Sequence, residues 1–107
     1  MANITQREVF IMEYRRFGNT IYLRLDPKEE ILEEIGKVAK KENIRLAQVT
    51  GLGAINDFTA GVYNTVTKEY HSIQFQGAFE IVSLTGTVTR KDGDVYLHLH
   101  IAAGDEE

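Results

Sequence analysis

Residues 79–102 read FEIVSLTGTVTRKDGDVYLHLHIA, and this stretch decides the fold. Two long runs of strand-forming residues flank the tetrapeptide Lys91-Asp92-Gly93-Asp94. Asp-Gly between such runs indicates a tight hairpin turn, because glycine readily adopts the positive φ that the turn requires. We therefore predict two long antiparallel strands joined at Asp92-Gly93.

The second of these strands alternates between two faces. One face carries the apolar residues Val95, Leu97, Leu99 and Ile101. The other face carries Tyr96, His98, His100 and Ala102. Two imidazoles therefore stand side by side, with Cβ atoms roughly 6–7 Å apart.

His98 and His100 are the candidate metal ligands. A catalytic zinc usually takes three protein ligands and an open position, and only two ligands are visible in this pair. His71, on a different predicted strand, could complete a site across the sheet or from a neighbouring subunit. The alternative is that the alternating histidines lie at a subunit interface or in solvent, without a metal.

The composition predicts one soluble domain over residues 1–107. Hydrophobic residues make up 43% of the chain and charged residues 26%, which are ordinary values for a globular protein. No apolar run approaches the roughly 18–20 residues that span a bilayer, and the N-terminal residues lack the apolar segment of a signal peptide. The chain has no cysteine, so we expect no disulfide and a cytoplasmic location.

The formal net charge of −4 bears on nucleic-acid binding. A protein that neutralises phosphates usually has a basic face or tail. Basic doublets are few in this chain, and the C-terminus is acidic. The charge therefore disfavours tight, direct DNA binding by this chain alone.

A hairpin is predicted near the N-terminus, with strands at Arg7–Tyr14 and Thr20–Leu25. The turn Phe17-Gly18-Asn19 joins them and leaves Arg15-Arg16 at the hairpin tip. At that place a solvated turn is favoured over a phosphate contact.

One amphipathic helix of about 16 residues is predicted after this hairpin. Asp26 is the expected N-cap, with Pro27 at the first helical position and Glu29 at capping-box spacing. The helix should end near Glu42, with Asn43 as a left-handed cap. Its apolar stripe comprises Ile31, Leu32, Ile35, Val38 and Ala39.

Three further strands are predicted at Ile44–Thr50, Phe58–Tyr63 and Lys68–Phe75. Between the first two lies Gly51-Leu52-Gly53-Ala54. A Gly-x-Gly turn after a strand is half of a dinucleotide-binding fingerprint, but here a strand and not a helix follows. We interpret the segment as a glycine turn between strands or around a ligand pocket.

The order of these elements predicts an α+β domain with a mainly antiparallel sheet and one main helix. A single helix can cover only one face of that sheet. Yet several strands are apolar on both faces; Phe79 and Ile81, for example, oppose Val82 and Leu84. This excess of apolar surface predicts a homo-oligomer.

Glu80 is a candidate site residue between two apolar neighbours. Strand alternation places it on the same face as Val82 and Leu84, so we expect a partly buried carboxylate with a shifted pKa if it is unpaired. Two interpretations stay open: pairing with an arginine or backbone donor, and a role as a site carboxylate near the imidazoles.

With these residues in view, the chain resembles the plants-and-prokaryotes-conserved (PPC) domain. That domain follows AT-hook motifs in plant nuclear proteins and stands alone in bacteria and archaea. The resemblance covers nearly the whole chain and rests on four segments in order. They are Gly51-Leu52-Gly53-Ala54-Ile55; Gly77-Ala78-Phe79-Glu80-Ile81-Val82, with Ala78 in place of the family's arginine; Leu84-Thr85-Gly86-Thr87; and Asp92-Gly93 followed by Leu97-His98-Leu99-His100.

The resemblance implies a domain around an antiparallel sheet that assembles as a homotrimer. In plant members the Phe-Glu-Ile signature contacts transcription factors, which makes Phe79, Glu80 and Ile81 the expected partner contacts. Some members bind a metal through the His-x-His pair and a further histidine in a downstream Gly-Gly-His segment. This implies zinc at His98 and His100.

Two departures from the family pattern matter. The sequence has no Arg-Gly-Arg core of an AT-hook, so the plant mode of DNA binding is not inherited. The chain also stops at Gly104-Asp105-Glu106-Glu107, where the family continues through Gly-Gly-His and a final strand. We therefore expect the C-terminal strand to be missing from a truncated domain, with an unpaired sheet edge.

Two hypotheses of function follow. The first is a non-enzymatic, DNA-associated PPC protein that acts as a homotrimeric assembly module in transcription or nucleoid organisation. The second is a zinc-dependent enzyme or small-ligand binder with a site at the subunit interface. That site would use His98 and His100, with the Gly51–Gly53 loop as a wall, and no sequence feature names its substrate.

Overall fold

The structure is a computed structural model that describes residues 13–106. These residues adopt the predicted α+β fold, with mostly antiparallel sheet and a short helix that is neither long nor apolar enough to cross a membrane. The elements are β1 Glu13–Phe17, β2 Thr20–Arg24, α1 Ile31–Lys41, β3 Ala47–Asn64, β4 Glu69–Lys91 and β5 Asp94–Gly104. The chain divides into two compact units, one ending at Arg45 and the other beginning at Leu46.

The first unit opens with the β1–β2 hairpin. Phe17 pairs with Thr20, so only Gly18 and Asn19 form the turn. Gly18 has a φ of 61°, the positive value that a two-residue hairpin turn takes at its first central position. The predicted turn is therefore in place.

Arg15 and Arg16 lie within β1, so the interpretation of this doublet as a turn is wrong, although both side chains are exposed to solvent as expected. Because the turn takes only two residues, both arginines pair with residues of β2: Arg15 lies opposite Tyr22, and Arg16 lies opposite Ile21. Of the predicted strand Arg7–Tyr14, residues 7–12 lie outside the described residues.

Helix α1 begins at Ile31, later than the sequence predicts. Lys28 has a left-handed φ of 75°, a conformation that interrupts a right-handed helix. The N-cap is Glu30, whose carboxylate accepts the backbone N–H groups of Leu32 and Glu33 at 2.9 and 3.1 Å. A carboxylate in this position also interacts favourably with the helix dipole.

Asp26, the predicted N-cap, is buried and pairs with Arg24 instead. Its backbone N–H donates to Glu29 Oε1 at 2.6 Å, so half of a capping box forms in the turn ahead of the helix. Hydrogen bonds from Arg24 to Glu13 and then to Asp26 raise the pKa of the Arg24 guanidinium.

The helix ends in a Schellman motif. Asn43 has the predicted left-handed conformation, with a φ of 52°. The N–H of Ile44 donates to the carbonyl of Ala39 at 2.9 Å, and the N–H of Asn43 donates to that of Lys40 at 3.2 Å. These bonds satisfy carbonyls that the end of the helix would otherwise leave unpaired.

Glu42 ties the end of α1 to the β1–β2 hairpin within this unit. The hydroxyl of Tyr14 donates to Glu42 Oε2 at 2.8 Å, and the guanidinium of Arg16 donates to Oε1 at 3.0 Å. The bond from Tyr14, followed by the bond from Arg16, holds the pKa of Glu42 below its ordinary value. The bond to the carboxylate in turn raises the pKa of the Tyr14 hydroxyl.

The second unit is an antiparallel sheet with the strand order β3-β4-β5. β3 and β4 each run without a break, although the sequence predicts interruptions at Gly51–Ala54 and Gln76–Ala78. Those interruptions are wrong, because the pairing of β3 with β4 continues on both sides of each glycine segment.

The glycine segments form irregularities of the ladder. The register of β3 against β4 shifts between Gly51 and Gly53 and again between Ile55 and Asp57. Gly53 and, on β4, Gly77 have φ values of 144° and 140°, which L side chains rarely adopt. At both shifts β4 carries the extra residue: Gly77 lies within the second of these bulges, and Gly53 lies on β3 beside the first.

The β4–β5 turn forms where the sequence predicts it. Lys91 pairs with Asp94, and the central residues Asp92 and Gly93 have φ values of 53° and 87°. Positive φ at both central positions is the mark of a type I′ turn, whose twist matches that of the flanking strands.

The sheet separates an apolar face from a polar face. The buried side chains of the apolar face are Ile81, Leu84 and Val88. Half-buried residues on the neighbouring strands complete this face: Ala47, Val49, Leu97, Leu99 and Ile101. The opposite face exposes Gln48, Thr50, Thr85, Thr87, His98 and His100.

Beyond the end of β5, the other two strands continue as a two-stranded arm. We define the arm as Asp57–Asn64 of β3 paired with Glu69–Gln76 of β4. β5 pairs with β4 only between Glu80 and Lys91. Within residues 13–106, both edges of the arm therefore lack a partner strand.

Candidate functional site

His98 and His100 meet on the polar face of β5. Their Nε2 atoms lie 3.0 Å apart, and their ring centroids lie 5.0 Å apart. Both side chains are exposed. One imidazole can donate its Nε2–H only while the other accepts, so this contact requires at least one neutral ring.

Hydroxyl and amide groups flank the histidine pair. In the β4–β5 ladder, Thr87 lies opposite His98 and Thr85 lies opposite His100. On the next strand, Gln48 lies opposite Thr87. All of these side chains are exposed, so a ligand that reached the imidazoles would also meet hydrogen-bonding groups of β4.

The geometry of His98 and His100 fits two ligands of one metal ion. Zinc–nitrogen bonds are about 2.0–2.1 Å long, so two nitrogens of a tetrahedral site lie about 3.3 Å apart. The observed Nε2 separation of 3.0 Å is close to that distance. Within residues 13–106 no group of three His, Cys, Asp or Glu could hold a metal, so further ligands would be water or groups from elsewhere.

His71 does not complete this site within one chain. It lies on the arm opposite Val62, whereas the histidine pair lies opposite Thr85 and Thr87. At about 3.3 Å per residue, the path along β4 from His71 to Thr85 is on the order of 40 Å. His71 therefore remains a predicted third ligand only if it comes from another subunit.

Gly51 and Gly53 do not form a loop beside the histidines. Both lie within β3, paired with Leu84 and Ile81 of β4. A β-carbon on Gly51 would meet the Leu84 side chain at 3.0 Å, which places it on the apolar face. The histidine pair lies on the other face, so within one chain the glycines are not a wall of its site.

A family model, that of the Plants and Prokaryotes Conserved (PCC) domain, matches residues 12–107. The chain belongs to this family. The match confirms the resemblance drawn from the glycine, Phe-Glu-Ile and His-x-His segments. No protein of curated function matches the chain.

Several solved structures share this fold. A protein of Bacteroides thetaiotaomicron, described provisionally as DNA-binding, is 32% identical with a TM-score of 0.84; the match covers 89% of this chain and 66% of that one. A plant- and prokaryote-conserved protein of Pyrococcus horikoshii is 31% identical with a TM-score of 0.74, covering 96% and 67% of the two chains.

A third similar structure is a metal-containing protein of Archaeoglobus fulgidus. It is 24% identical with a TM-score of 0.71, and the match covers 91% of this chain and 63% of that one. At this identity the likeness concerns the fold alone. The present chain thus spans about two thirds of the length of these solved structures.

The Phe-Glu-Ile signature of this PCC domain is only partly accessible. Ile81 is buried at 7% exposure, and Phe79 is half-buried. The Phe79 ring packs edge-on against Phe58 and Phe75, with centroid distances of 5.3 and 6.2 Å. Glu80 is therefore the member of the signature that presents its side chain to the surface.

The partial burial expected for Glu80 is wrong. The register of β4 against β5 shifts between Ile81 and Ser83. This bulge reverses the alternation, so that Ile81 and Leu84 share the buried face and Glu80 is exposed. An unbroken strand, as the sequence implies, would place Glu80 beside Leu84.

Two surfaces of this PCC domain are not predicted from the sequence. The first is the apolar face of the arm, on which Val62 and Ile73 are 75% and 61% exposed. The second is the outer face of the β1–β2 hairpin, with Phe17 and Tyr22 at 62% and 73%. Alternation within the predicted strands Phe58–Tyr63 and Lys68–Phe75 is the signal for the first surface. The second surface could be predicted only with Arg15 and Phe17 in a strand.

Proposed function

We propose that this chain is a DNA-binding, homo-oligomeric module of the PCC family that acts in transcription or nucleoid organisation. The observation that carries the proposal is the match to the Bacteroides thetaiotaomicron protein, provisionally described as DNA-binding, at 32% identity and a TM-score of 0.84. Family membership over residues 12–107 supports it.

The charge of the chain limits how such binding can work. A formal net charge of −4 repels DNA overall, so attraction must come from local clusters of Lys and Arg. An oligomer would present each local cluster several times on one assembly. Multiple weak contacts on one assembly increase avidity without any new contact within a subunit.

The apolar face of the arm supports the homo-oligomer. On this face the exposed Val62 and Ile73 continue a row that begins at the stacked rings of Phe58 and Phe75, whose centroids lie 5.2 Å apart. Contiguous exposed apolar surface of this kind is typical of an interface between proteins. We propose that copies of the chain associate through this face, as the homotrimer that the family resemblance implies.

Titration of DNA by fluorescence anisotropy tests the DNA-binding proposal. A labelled duplex is titrated with the protein at a series of salt concentrations between about 50 and 200 mM. The expected result is binding that weakens with salt, with a log–log slope of about −0.9 for each phosphate neutralised. Absence of binding to duplex and single strand at the lowest salt would overturn the proposal.

The geometry of His98 and His100 favours a second candidate function, a metal-dependent enzyme or small-ligand binder. The two Nε2 atoms, 3.0 Å apart, would hold zinc together with ligands from water or another subunit. Zinc would supply a Lewis acid at that place. Thr85 and Thr87, opposite the two histidines, would offer hydroxyl groups to a bound molecule.

Zinc titration of the untagged protein tests the second candidate. The expected result is saturable binding that His98→Ala or His100→Ala weakens at least tenfold, in line with loss of one ligand of a small set. Thr59→Ala is the matched control, because Thr59 is an exposed residue of the arm with no imidazole. Equal zinc binding by all three variants would exclude the His98–His100 site.

A further inference from the structure

The β1–β2 hairpin has an inner face and an outer face. Tyr14 and Arg16 lie on the inner face, where both donate to Glu42 at the end of α1. Alternation places the odd residues of β1 and the even residues of β2 on the other face. The outer face therefore comprises Glu13, Arg15, Phe17, Thr20, Tyr22 and Arg24.

Two aromatic rings are exposed on this outer face. Phe17 is 62% exposed and Tyr22 is 73% exposed. Their centroids lie 6.4 Å apart with an interplanar angle of 78°. Each ring supports the other edge-on, while ring surface stays open to solvent.

Arg15 lies directly opposite Tyr22 in the ladder. It is exposed and forms no ion pair with any residue in 13–106. Arg24, by contrast, is engaged by Glu13 and Asp26, and Arg16 is engaged by Glu42. Among the described residues, Arg15 is therefore the arginine of the outer face that no carboxylate pairs with.

The hairpin differs in charge from the rest of the chain. Of its three arginines, Arg15 is the one outside the ion pairs formed within residues 13–106, so the outer face carries one local positive charge, although the whole chain has a formal net charge of −4. A local positive charge beside exposed rings complements a ligand that has both negative charges and flat apolar surfaces. Single-stranded nucleic acid is such a ligand, because bases stack on aromatic rings and phosphates pair with Arg.

We propose that the outer face of the β1–β2 hairpin binds single-stranded nucleic acid. Bases stack on Phe17 and Tyr22, and Arg15 contacts the phosphate backbone. This inference rests on the proposed DNA-binding function and adds both the class of nucleic acid and the contact surface. A two-stranded ribbon also fits the major groove of a duplex, but the exposed rings favour a single strand, because its bases are free to stack on them whereas the bases of a duplex are already stacked on each other.

The test compares a labelled single strand of about 20 nucleotides with a duplex of the same length, by anisotropy at about 50 mM salt. We expect the single strand to bind at least tenfold more tightly than the duplex. Tyr22→Leu and Phe17→Leu keep apolar bulk but remove the rings, and each should weaken single-strand binding about five- to hundredfold. Tyr22→Phe keeps the ring and should bind as the unaltered chain does.

Arg15→Ala should make the slope of log affinity against log salt shallower by about 0.7 per subunit engaged, because one phosphate contact is lost. Tyr63→Leu, an exposed tyrosine of the arm, and Arg45→Ala, an exposed arginine outside the hairpin, are the matched controls and should leave binding unchanged. All substituted side chains are exposed, so circular dichroism should report an unchanged fold.

The outcomes separate this inference from the proposed function. Binding of duplex and single strand with equal affinity, or binding that is insensitive to Tyr22→Leu, Phe17→Leu and Arg15→Ala, would overturn the inference and leave DNA binding intact. Absence of binding to either nucleic acid would overturn both the inference and the proposed DNA-binding function. If the hairpin then bound an acidic peptide, its ligand would belong to a different class.

Discussion

Gly86 lies directly opposite Leu99 in the β4–β5 ladder, and a β-carbon on Gly86 would come within 2.7 Å of the α-carbon and a methyl carbon of Leu99. The carbonyl oxygen of His98 would lie closer still. Gly86 is the glycine of the Leu84-Thr85-Gly86-Thr87 segment. The absence of a side chain at this position therefore lets β5, with its two histidines, pair closely with β4.

Gly86→Ala is expected to lower the free energy of unfolding by about 2–3 kcal/mol, because the new methyl group overlaps backbone that cannot move away without loss of the ladder. Urea unfolding at fixed protein concentration measures the change. Gly36→Ala, in α1, is the matched control, since nothing lies within 4 Å of its β-carbon position. It should stabilise the protein by about 0.8–1 kcal/mol, and a destabilising effect as large as that of Gly86→Ala would contradict the argument.

Lys68→Gly is expected to stabilise the arm by about 1 kcal/mol. Lys68 ends the turn at the tip of the arm with a left-handed φ of 66°, which costs an L-residue about 1–2 kcal/mol and glycine much less. The N–H of Lys68 donates to the carbonyl of Asn64 at 2.8 Å, so the turn itself remains. Thermal unfolding checks the gain; Lys68→Ala, which keeps the β-carbon, should show none.

Glu42→Gln is expected to flatten the dependence of stability on pH. The pKa of Glu42 is lowered in the folded state from an ordinary value of 4.5, so its ionised form is favoured by folding. The stabilisation from ionised Glu42 is complete above the pKa that Glu42 has in the unfolded chain. It disappears as the pH falls through the lower pKa that Glu42 has in the folded state. The loss of urea stability between pH 6 and pH 3 should therefore be smaller in Glu42→Gln than in the unaltered chain.

Glu69→Gln is the control for this pH series, because Glu69 is an exposed carboxylate at the arm, outside the Tyr14–Arg16–Glu42 cluster. It should follow the unaltered chain. A pH profile of Glu42→Gln that is identical to that of Glu69→Gln would show that the hydrogen bonds from Tyr14 and Arg16 do not stabilise the fold.

Ile73→Lys is expected to shift the proposed oligomer toward monomer, because it places a charge in the centre of the apolar face of the arm, opposite Ala60. Light scattering at several protein concentrations measures the shift. Ser72→Lys adds the same charge one residue earlier, on the other face of the arm, and should not alter the mass. Equal masses for Ile73→Lys and Ser72→Lys would show that the interface between copies of the chain does not lie on the apolar face of the arm.

The sequence predicts the local features well where a single residue decides the backbone. Gly18 and Asp92-Gly93 form the expected two-residue turns, and Asn43 takes the expected left-handed cap. The side-by-side position of His98 and His100 also follows from period-two alternation alone. In each case the deciding interactions lie within a few residues of chain.

Some of the predictions that fail depend on interactions with a second segment. The glycines at Gly53 and Gly77 are the example, since a glycine permits a turn or a bulge equally well and the pairing of β3 with β4 decides between them. The helix start fails for a local reason: Asp26 and Glu30 can both cap a helix, and the ion pair of Asp26 with Arg24, two residues away, accompanies a cap at Glu30.

The chain by itself therefore determines an α+β fold, its hairpin turns and a pair of histidines on one strand face, because φ preferences and side-chain alternation are properties of neighbouring residues. Tertiary pairing decides where the register slips, and with it that Ile81 is buried while Glu80 faces outward. A bulge shifts every later residue to the opposite face, and only the partner strand determines where that shift occurs.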